Sequence, residues 1–346
     1  MKVRQYELDS RKENIKLNKT AGRFYFEKMQ NNFSEENFHL YKALFYEVEN
    51  LNKKEFFKTF VSIINLETNS YCNRTCSYCP LSFFDRSKKQ NMNEEIFEKI
   101  ILELEEIEYE STICLNLYNE PLSDEKLIEK IKFIKQKCKR VFLRFNSNGD
   151  FLNPLLLEEL DSSGLDSINI TLHTKNNEIY SDDNALNKLN KFYKKLRLAP
   201  PQYNITPNYQ ITSLYKIKNL EMIVNTTNWG IYGNDRGGII NKLSMENRTK
   251  PCVKIFREFT IDYLGNVFPC CNIFPSDPKN AKFIFGNVKT QSIFEIFALQ
   301  KWRNWRKNLF IESKKQNPCA TCKDALFDED IDYKKHEFIL EELEKG

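Results

Sequence analysis

Short strand-like runs alternate with longer helical runs from about residue 62 to residue 245, and this alternation limits the fold more than any other feature. Residues 112–118 alternate apolar with other side chains, as a strand does, whereas apolar residues recur at helical spacing over 96–104. Strand–helix alternation implies right-handed β-α-β units and a parallel sheet. About six such units favour an α/β fold with a partial (β/α)6 barrel over a closed eight-stranded barrel. Further strands are predicted over 141–145, 167–172 and 203–212.

Changes in composition along the sequence divide the chain into three predicted parts. Residues 1–60 are charged and carry apolar residues at loosely helical spacing, which predicts a helical N-terminal extension packed on the main domain. Residues 61–245 hold the alternating pattern and form the predicted partial barrel. Residues 246–346 are richer in cysteine, Gly and Pro and contain one strong helical run over 292–309. We therefore predict a small α+β module with a C-terminal helix in this last part.

The fractions of apolar and charged residues are typical of a soluble globular protein. Of 346 residues, 41% are hydrophobic and 29% are charged, and the formal net charge of +4 is small against 52 basic and 48 acidic side chains. This balance does not call for nucleic acid or an anionic membrane as a partner. The sequence contains no run of about 18 apolar residues, so we expect no membrane-spanning helix. Its first residues are not followed by an apolar core, so we expect no signal peptide. We therefore predict a cytoplasmic protein without nucleic-acid or membrane partners.

Three cysteines close a loop directly after the strand-like run of residues 62–68. Their spacing is Cys72-x3-Cys76-x2-Cys79, so the loop lies at the carboxyl end of the first strand, where parallel α/β sheets place their chemistry. Three thiolates can hold three irons of a cubic [4Fe–4S] cluster and leave the fourth iron open to an outside ligand. Zinc sites and ferredoxin clusters take a fourth ligand that this triplet lacks. The triplet therefore favours an open iron–sulfur cluster.

A second group of four cysteines lies in the last third of the chain: Cys252, Cys270, Cys319 and Cys322. Residues 262–268 read as a hairpin with its turn at 265–266, which would bring the first two of these cysteines together. Four thiolates are enough for one closed [4Fe–4S] cluster, and they would equally form a zinc knuckle. Ten cysteines against three histidines favour thiolate-rich metal chemistry over imidazole sites.

The order of the motifs resembles the radical S-adenosylmethionine (radical SAM) superfamily over roughly residues 60–325. The cysteine loop carries an aromatic residue, Tyr78, before its last cysteine, as the family does. Glu120 and Pro121 match a Gly-Gly-Glu-Pro-type segment after the second strand, with Tyr118 and Asn119 standing where the family has glycines. Two later segments, 146–149 and 170–173, are similar to the family's turns after the third strand and in the fourth strand.

This resemblance implies that the first cluster binds S-adenosylmethionine at its open iron. Tyr78 would lie near the adenine, Glu120 would accept a hydrogen bond from the methionyl amino group, and Thr171 would contact the ribose or carboxylate. The implied cofactor-binding residues are Tyr78, Asn119, Glu120, Ser147, Asn148, Thr171 and His173. An external donor such as flavodoxin or ferredoxin would supply the electron that cleaves the cofactor to methionine and a 5′-deoxyadenosyl radical, which abstracts hydrogen from the substrate.

The last four cysteines resemble the SPASM domain and its shorter twitch variant, which implies one auxiliary [4Fe–4S] cluster. Two further residues are candidate catalytic groups. Cys271 could donate a hydrogen atom or serve as an alternative cluster ligand, and Arg236 could bind a carboxylate or hydroxyl of the substrate. Cys114 and Cys138 are expected to be core residues, although Cys114 projects from the second strand on its less apolar side.

Relatives with this layout modify ribosomal peptides, mature sulfatases, or oxidise or epimerise sugars and aminocyclitols. Residues 1–60 lack the β-hairpin pattern of a peptide-binding winged-helix module, which favours a small polar, carbohydrate-like substrate. A dehydrogenase would pass its second electron to the auxiliary cluster, whereas an epimerase would need a thiol donor such as Cys271. Two alternatives stay open: an enzyme that modifies peptides or proteins, and a zinc-stabilised binding protein without redox chemistry.

Overall fold

The computed structural model describes residues 37–174, 176, 178–324 and 334–345. These residues form two compact units. The first, which we call the α/β unit, contains residues 63–233 and 261–265. The second, the auxiliary unit, contains the remaining described residues. Two helices that precede the first strand belong to the auxiliary unit: α1 (Phe38–Ala43) and α2 (Lys53–Phe60).

The α/β unit is built on a mostly parallel sheet. Its strands are β1 (Ile63–Leu66), β2 (Thr112–Cys114), β3 (Phe142–Ser147), β4 (Ser167–Thr171), β5 (Asn204–Thr206), β6 (Gln210–Ile217) and β7 (Leu220–Thr227). Within this unit they follow the order β1-β2-β3-β4-β7-β6-β5, with β1 to β4 and β7 parallel and β5 and β6 antiparallel. The helices are α3 (Glu94–Glu106), α4 (Leu127–Lys137), α5 (Pro154–Ser163), α6 (Asp182–Lys195) and the short α7 (Trp229–Tyr232).

Alternate residues of the central strands differ in polarity, and this difference separates the two faces of the sheet. Leu143 and Phe145 of β3 and Ile168 of β4 are fully buried, as expected for the face that right-handed crossovers cover with helices. Asn146 and Asn169, which follow Phe145 and Ile168 and point to the opposite face, are half-buried. Helices α3, α5 and α6 each begin after a polar residue whose side chain accepts a backbone N–H, namely Asn93, Asn153 and Ser181.

The predicted α/β class and its parallel-rich sheet are confirmed. The strand predicted over 203–212 is wrong in detail, because β5 and β6 occupy this stretch as an antiparallel hairpin. Asn208 has a left-handed φ of 57° in the connection, and the Tyr209 N–H donates to the Thr206 carbonyl at 3.1 Å. A parallel crossover needs about a dozen residues. The three residues between these strands allow only a hairpin, so this stretch is two antiparallel strands and not one.

The auxiliary unit is mainly helical, with short strands: α8 (Lys254–Arg257), β8 (Glu258–Ile261), β9 (Asn266–Phe268), β10 (Gly286–Asn287), α9 (Ile293–Phe297), α10 (Gln300–Phe310) and α11 (Lys334–Lys345). Its core is aromatic. Phe57 of α2 packs edge-on against Phe294 and Phe297 of α9 with ring centroids 5.5 Å apart, and Trp302 of α10 stacks on Phe259 at 5.9 Å. None of the helices in the described ranges is long and apolar enough to cross a lipid bilayer.

The described part of the N-terminal segment shares the core of the auxiliary unit, which differs from the expected packing on the main domain. Phe45 packs on Phe310 at 4.9 Å, and the Tyr46 hydroxyl donates to the Leu340 carbonyl at 3.0 Å. Residues 1–36 lie outside the described residues. The predicted domain limits at residues 60 and 245 stay predictions, whereas the compact units divide after residues 62 and 233.

Candidate active site

The first cysteine group lies in the loop that follows β1. Cys72, Cys76 and Cys79 are all half-buried. The Cys79 N–H donates to the Cys76 carbonyl at 2.9 Å, and Cys79 then caps a short 3-10 helix over Pro80–Ser82. The hydrogen bond between Cys79 and Cys76 makes a tight turn at the end of the loop. Such a turn is needed if three thiols are to bind one shared ligand.

Burial makes the thiols of this loop poor acids on their own. It raises the pKa of Cys72 to about 12, with smaller contributions from Glu120 and the other two thiols, and it also raises the pKa of Cys76. A buried thiolate is unfavourable unless a positive group compensates it, and a coordinated metal deprotonates a thiol outright. In the described ranges no three Cys, His, Asp or Glu side chains are arranged around a single ion. A multi-iron cluster would supply the positive charge that these three half-buried thiols need to deprotonate.

The turn after β3 holds the cysteine loop through charged and amide groups. Arg74 donates two hydrogen bonds to Asp150, at 2.7 and 2.6 Å, and Asn73 donates to the same carboxylate at 2.8 Å. Asn148 donates to the Asn73 side chain at 2.7 Å, and its amide nitrogen lies 3.9 Å from the sulfur of Cys72. These contacts tie the predicted cofactor residue Asn148 to the first cysteine.

A buried ion pair closes the base of the same loop. Arg86 donates to Glu67 at 2.7 Å, and Glu67 also accepts from the backbone N–H of Tyr118 at 3.0 Å. The two side chains are 4% and 0% exposed, so the pair lies out of water. It connects the end of β1, the chain after the cysteine loop and the segment that leads to Glu120.

Glu120 joins the ends of β2 and β3. Its carboxylate accepts from the Leu122 N–H at 3.1 Å, from the Ser147 hydroxyl at 2.7 Å and from the Asn148 N–H at 2.7 Å. Burial raises the pKa of Glu120, although these three hydrogen bonds act in the opposite direction. The structure thus brings together three of the residues that the sequence predicts to bind the cofactor.

Asn119 supplies an observation that points to an absent ligand. It is 7% exposed, and its carbonyl oxygen accepts from the Leu117 N–H at 3.0 Å. Its buried amide nitrogen has no hydrogen-bond partner within the described part of the chain. Buried donors are seldom left unsatisfied, so a donor beside Glu120 fits a polar ligand at this place.

Three aromatic rings gather near the last cysteine of the loop. The Tyr78 hydroxyl lies 2.7 Å from Nδ1 of His173, and the Tyr78 ring stacks on Trp229 at 5.3 Å. Burial, helped by the charge of Arg74, lowers the pKa of His173 to about 4, and burial raises the pKa of Tyr78. Both side chains are therefore neutral at pH 7. Thr171 lies buried at the end of β4, in register with Asn225 of β7.

The four cysteines of the second group line one cavity in the auxiliary unit. Cys252, Cys270, Cys319 and Cys322 all line one small pocket, together with two cationic residues, Arg248 and Lys254. Burial raises the pKa of Cys322 to about 11 and also raises that of Cys319. Four thiols around one pocket, with cations beside them, fit a cluster with four protein ligands that carries negative charge.

Arg248 organises the backbone of this second cysteine group. Its guanidinium is 1% exposed and donates to the carbonyls of Lys250 and Pro251, at 3.0 and 2.6 Å. It also donates to the carbonyls of Cys322 and Asp324, at 3.1 and 2.5 Å. One side chain thus joins the segment before Cys252 to the segment that carries the last cysteine.

Two family models match the chain. The radical SAM superfamily model matches residues 66–201, and the model of an iron–sulfur cluster-binding domain, SPASM, matches residues 252–323. The chain therefore contains a radical SAM domain followed by a SPASM domain. As a radical SAM enzyme with a SPASM domain, it uses [4Fe–4S] clusters and S-adenosylmethionine as cofactors.

The chain is also similar to individual proteins and to solved structures. The enzyme is 26% identical over 263 residues to the S-adenosyl-L-methionine-dependent 2-deoxy-scyllo-inosamine dehydrogenase of Niallia circulans, covering 75% of this chain and 92% of that protein. It is 30% identical over 136 residues to the uncharacterized protein MJ0804 of Methanocaldococcus jannaschii, covering 39% of this chain and 42% of that protein. Its fold is similar to the crystal structure of BtrN in complex with AdoMet and 2-DOIA, with a TM-score of 0.57 at 22% identity over 79% of this chain and 97% of that one.

The two predicted catalytic residues of this radical SAM enzyme both lie in the auxiliary unit. Cys271 does not line the cavity of the other cysteines, and its sulfur lies 3.7 Å from the ammonium of Lys254. Arg236 donates to the Asn272 side chain at 2.9 Å, and Asn272 in turn donates to Asp324 at 2.7 Å. Their catalytic roles, like those of the cofactor contacts, stay predictions.

Several residues of the site were missed by sequence reasoning. Trp229 could have been noticed, since an aromatic residue directly after a strand lies at the functional edge of a parallel sheet. Arg248 had no signal, because its partners are backbone carbonyls that only the folded chain brings together. Cys138, at the end of α4, is buried and its thiol donates to the Ile101 carbonyl at 3.7 Å. The thiol of Cys114, in β2, donates to the Asn116 side chain at 3.2 Å.

Proposed function

We propose that this radical SAM enzyme is a dehydrogenase that oxidises a hydroxyl group of a small polyhydroxylated, carbohydrate-like substrate. The observation that carries the proposal is the second cysteine group, whose four thiols line one pocket. A cluster with four protein ligands has no open iron for a substrate, so its suitable role is that of an electron acceptor. The curated dehydrogenase, 92% of whose length is covered, supports the same reaction class.

Oxidation of a secondary alcohol to a ketone releases two electrons and two protons, one of each as a hydrogen atom. When bound, S-adenosylmethionine and the first cluster supply a 5′-deoxyadenosyl radical that takes this hydrogen atom, and the second cluster supplies an acceptor for the remaining electron. The remaining proton is released to solvent. Within the protein, Cys72, Cys76 and Cys79 would hold the first cluster.

The polar residues at the strand ends would orient the cofactor. Glu120 keeps an acceptor position for the methionyl amino group, and the unsatisfied amide of Asn119 would donate to the cofactor. Tyr78 and Trp229 offer stacked aromatic surfaces for the adenine. Such fixed groups hold the reacting atoms at near-attack distance.

The partners and location belong to the same proposal. The partner is a small-molecule substrate, with an external one-electron donor such as flavodoxin or ferredoxin as the source of the first electron. All ten cysteines are free thiols in the structure, which suits a reducing compartment such as the cytoplasm.

The test uses anaerobically purified and reconstituted enzyme, with 2-deoxy-scyllo-inosamine as the probe substrate. We expect about eight irons per chain, for two four-iron clusters. With S-adenosylmethionine and dithionite we expect equal amounts of 5′-deoxyadenosine and a ketone product, and deuterium from the oxidised carbon should appear in 5′-deoxyadenosine. The Cys72→Ala/Cys76→Ala/Cys79→Ala variant should keep about four irons and form neither product. An epimer of unchanged mass, or reaction with peptides alone, would contradict the dehydrogenase proposal.

A further inference from the structure

Four asparagines on neighbouring strands of the α/β unit form a continuous hydrogen-bonded ladder. Asn225 of β7 donates to Asn169 of β4 at 2.9 Å, and Asn169 donates to Asn146 of β3 at 3.0 Å. Asn146 donates to Asn116, which follows β2, at 3.2 Å. All three bonds run from a carboxamide nitrogen to a carboxamide oxygen in the same direction across the sheet. We call these four residues the asparagine ladder.

The ladder lies on the face of the sheet opposite the apolar side chains. Asn146 and Asn169 are direct neighbours in the β3–β4 register and are half-buried, as is Asn116. Phe145 and Ile168, the alternate residues, are completely buried. Half-open amides in the middle of a sheet are unusual, since central strands normally bury apolar residues on both faces of a parallel sheet.

Further side chains hold the ladder in a fixed orientation at each end. At one end Thr227 donates to Asn225 at 3.0 Å, and Gln210 donates to Thr227 at 2.6 Å. At the other end the thiol of Cys114 donates to Asn116 at 3.2 Å. The carboxamides are thus preorganised, so a ligand that binds them does not bear the entropy cost of ordering them.

The ladder keeps donors and acceptors that its own bonds do not use. Asn225 uses both amide hydrogens, the second on the Ile170 carbonyl at 2.8 Å. Within the described part of the chain, Asn169 uses one of its two amide hydrogens, and the amide nitrogen of Asn116 makes no hydrogen bond. Each carboxamide oxygen can accept two hydrogen bonds, and Asn169 accepts one. The surface therefore offers neutral donors and acceptors side by side.

This pattern selects a class of ligand by its chemistry. Hydroxyl and amino groups donate and accept at once, so several of them on one ring match a row of carboxamides. Phosphate or carboxylate groups would instead call for Arg or Lys, which bind anions through charge-assisted bonds. The uncharged ladder thus fits a neutral or aminated polyol better than an anionic substrate.

The ladder also lies next to the proposed cofactor contacts. Asn146 precedes Asn148 by two residues on β3 and its following turn, and Asn169 precedes Thr171 by two residues on β4. Two residues of a strand span about 7 Å. A six-membered ring on the ladder would thus lie within reach of a cofactor held at the strand ends.

We propose that the asparagine ladder is the substrate-recognition surface of this enzyme and that it binds the hydroxyl and amino groups of a polyhydroxylated ring. The proposal rests on the proposed function, which supplies the reaction but not the residues that recognise the substrate. Asn169 and Asn116, which keep spare hydrogens, are the specificity-determining residues.

The test compares Asn169→Leu and Asn116→Leu with the unchanged enzyme, because Leu has a similar volume but forms no hydrogen bonds. Asn219→Leu, an exposed asparagine before β7, is the matched control. The probes are 2-deoxy-scyllo-inosamine and its analogues that each lack one hydroxyl group. Formation of 5′-deoxyadenosine without substrate and the melting temperature report on cofactor binding and folding.

We expect each ladder variant to raise the KM for the parent compound about tenfold, which corresponds to roughly one lost hydrogen bond. Substrate-free 5′-deoxyadenosine formation should not change. At least one deoxy analogue should bind equally well to the unchanged enzyme and to a ladder variant, because the analogue and the variant remove the same contact. A merely structural ladder would raise KM equally for all analogues and would overturn the inference. If the unchanged enzyme converts no polyol at all, the proposed function itself is wrong.

Discussion

At the scale of single residues, the buried ion pair between Glu67 and Arg86 shows how the cysteine loop is held. The two residues flank the loop in the sequence, so their contact joins its ends at 2.7 Å. Neither side chain has water as an alternative partner. Loss of one partner therefore leaves an uncompensated charge inside the protein, a larger cost than the net gain from the pair.

Arg86→Met should destabilise the protein by about 3–5 kcal/mol, the cost of an unpaired buried carboxylate. Urea unfolding of the α/β unit in the reconstituted enzyme measures this change. The matched control is Arg140→Met, because Arg140 pairs with Glu108 and Glu110 at 60% exposure and exposed pairs contribute at most about 1 kcal/mol. An equal loss of unfolding free energy in the two variants would show that the buried Glu67–Arg86 pair contributes no more than an exposed pair.

His173 should make stability depend on pH. Burial lowers its pKa from 6.5 to about 4 in the folded protein, so below pH 6.5 the unfolded chain binds a proton that the folded chain does not. The contribution of the neutral His173 side chain to the free energy of unfolding is complete above pH 6.5 and is lost as the pH falls towards 4. Between pH 7 and 5.5 the loss should be about 1 kcal/mol. Chemical unfolding of the unchanged protein and of His173→Gln measures it, and the same slope in both would contradict the assignment.

At the scale of elements, the turn after β3 depends on one glycine. Gly149 has a φ of 73° and follows Ser147 and Asn148, which contact Glu120. A Cβ at this position would lie 2.8 Å from a side-chain carbon of Ile170 and 2.9 Å from the ring of Phe192. The close packing of the turn against β4 and α6 therefore leaves no room for a side chain.

Gly149→Ala should combine backbone strain with a steric clash and destabilise the protein by more than the 1–2 kcal/mol of left-handed strain alone. It should also weaken S-adenosylmethionine binding, since the turn carries Asn148. Gly238→Ala is the matched control, because Gly238 has a φ of 89° and no atom within 4 Å of an added Cβ. Denaturant unfolding measures the loss of stability, and equilibrium binding of S-adenosylmethionine measures the loss of affinity. A loss no larger than that of the control would argue against the clash.

At the scale of the whole molecule, each compact unit carries its own cysteine set. Cys72, Cys76 and Cys79 belong to the α/β unit, and the four cysteines of the second cavity belong to the auxiliary unit. The supporting residues are also separate, since the four backbone carbonyls that accept hydrogen bonds from Arg248 lie within the auxiliary unit. Loading of the two clusters should therefore be separable by substitution.

Arg248→Leu should reduce the iron content from about eight to about four per chain, because the loops that carry Cys252 and Cys322 lose their common anchor. Formation of 5′-deoxyadenosine without substrate should persist, since it depends on the other unit. Iron analysis and chromatography test both statements, with Cys252→Ala as the comparison. Retention of about eight irons would show that Arg248 does not support the second cluster.

Spacing and periodicity in the sequence were enough for the features that depend on neighbours along the chain. The cysteine loop after β1 and the alternation of strands and helices are of this kind, because strand and helix periods are local properties, whereas the role of Glu120 was implied only by the resemblance to the radical SAM superfamily. The hairpin of β5 and β6 was missed because a short apolar stretch does not show where a chain reverses direction. A left-handed Asn208 makes that reversal.

The sequence by itself determined the superfamily, the two groups of cysteines and the α/β class, since residue types, their periodicity and the order of motifs along the chain are enough for each. Only the tertiary structure decided which side chains from distant segments meet. Asn116, Asn146, Asn169 and Asn225 are ordinary polar residues in the sequence, and they become a ladder because parallel strands place them side by side. Hydrogen bonds to backbone carbonyls, such as those of Arg248, likewise have no signature in residue types, because every residue offers the same acceptor.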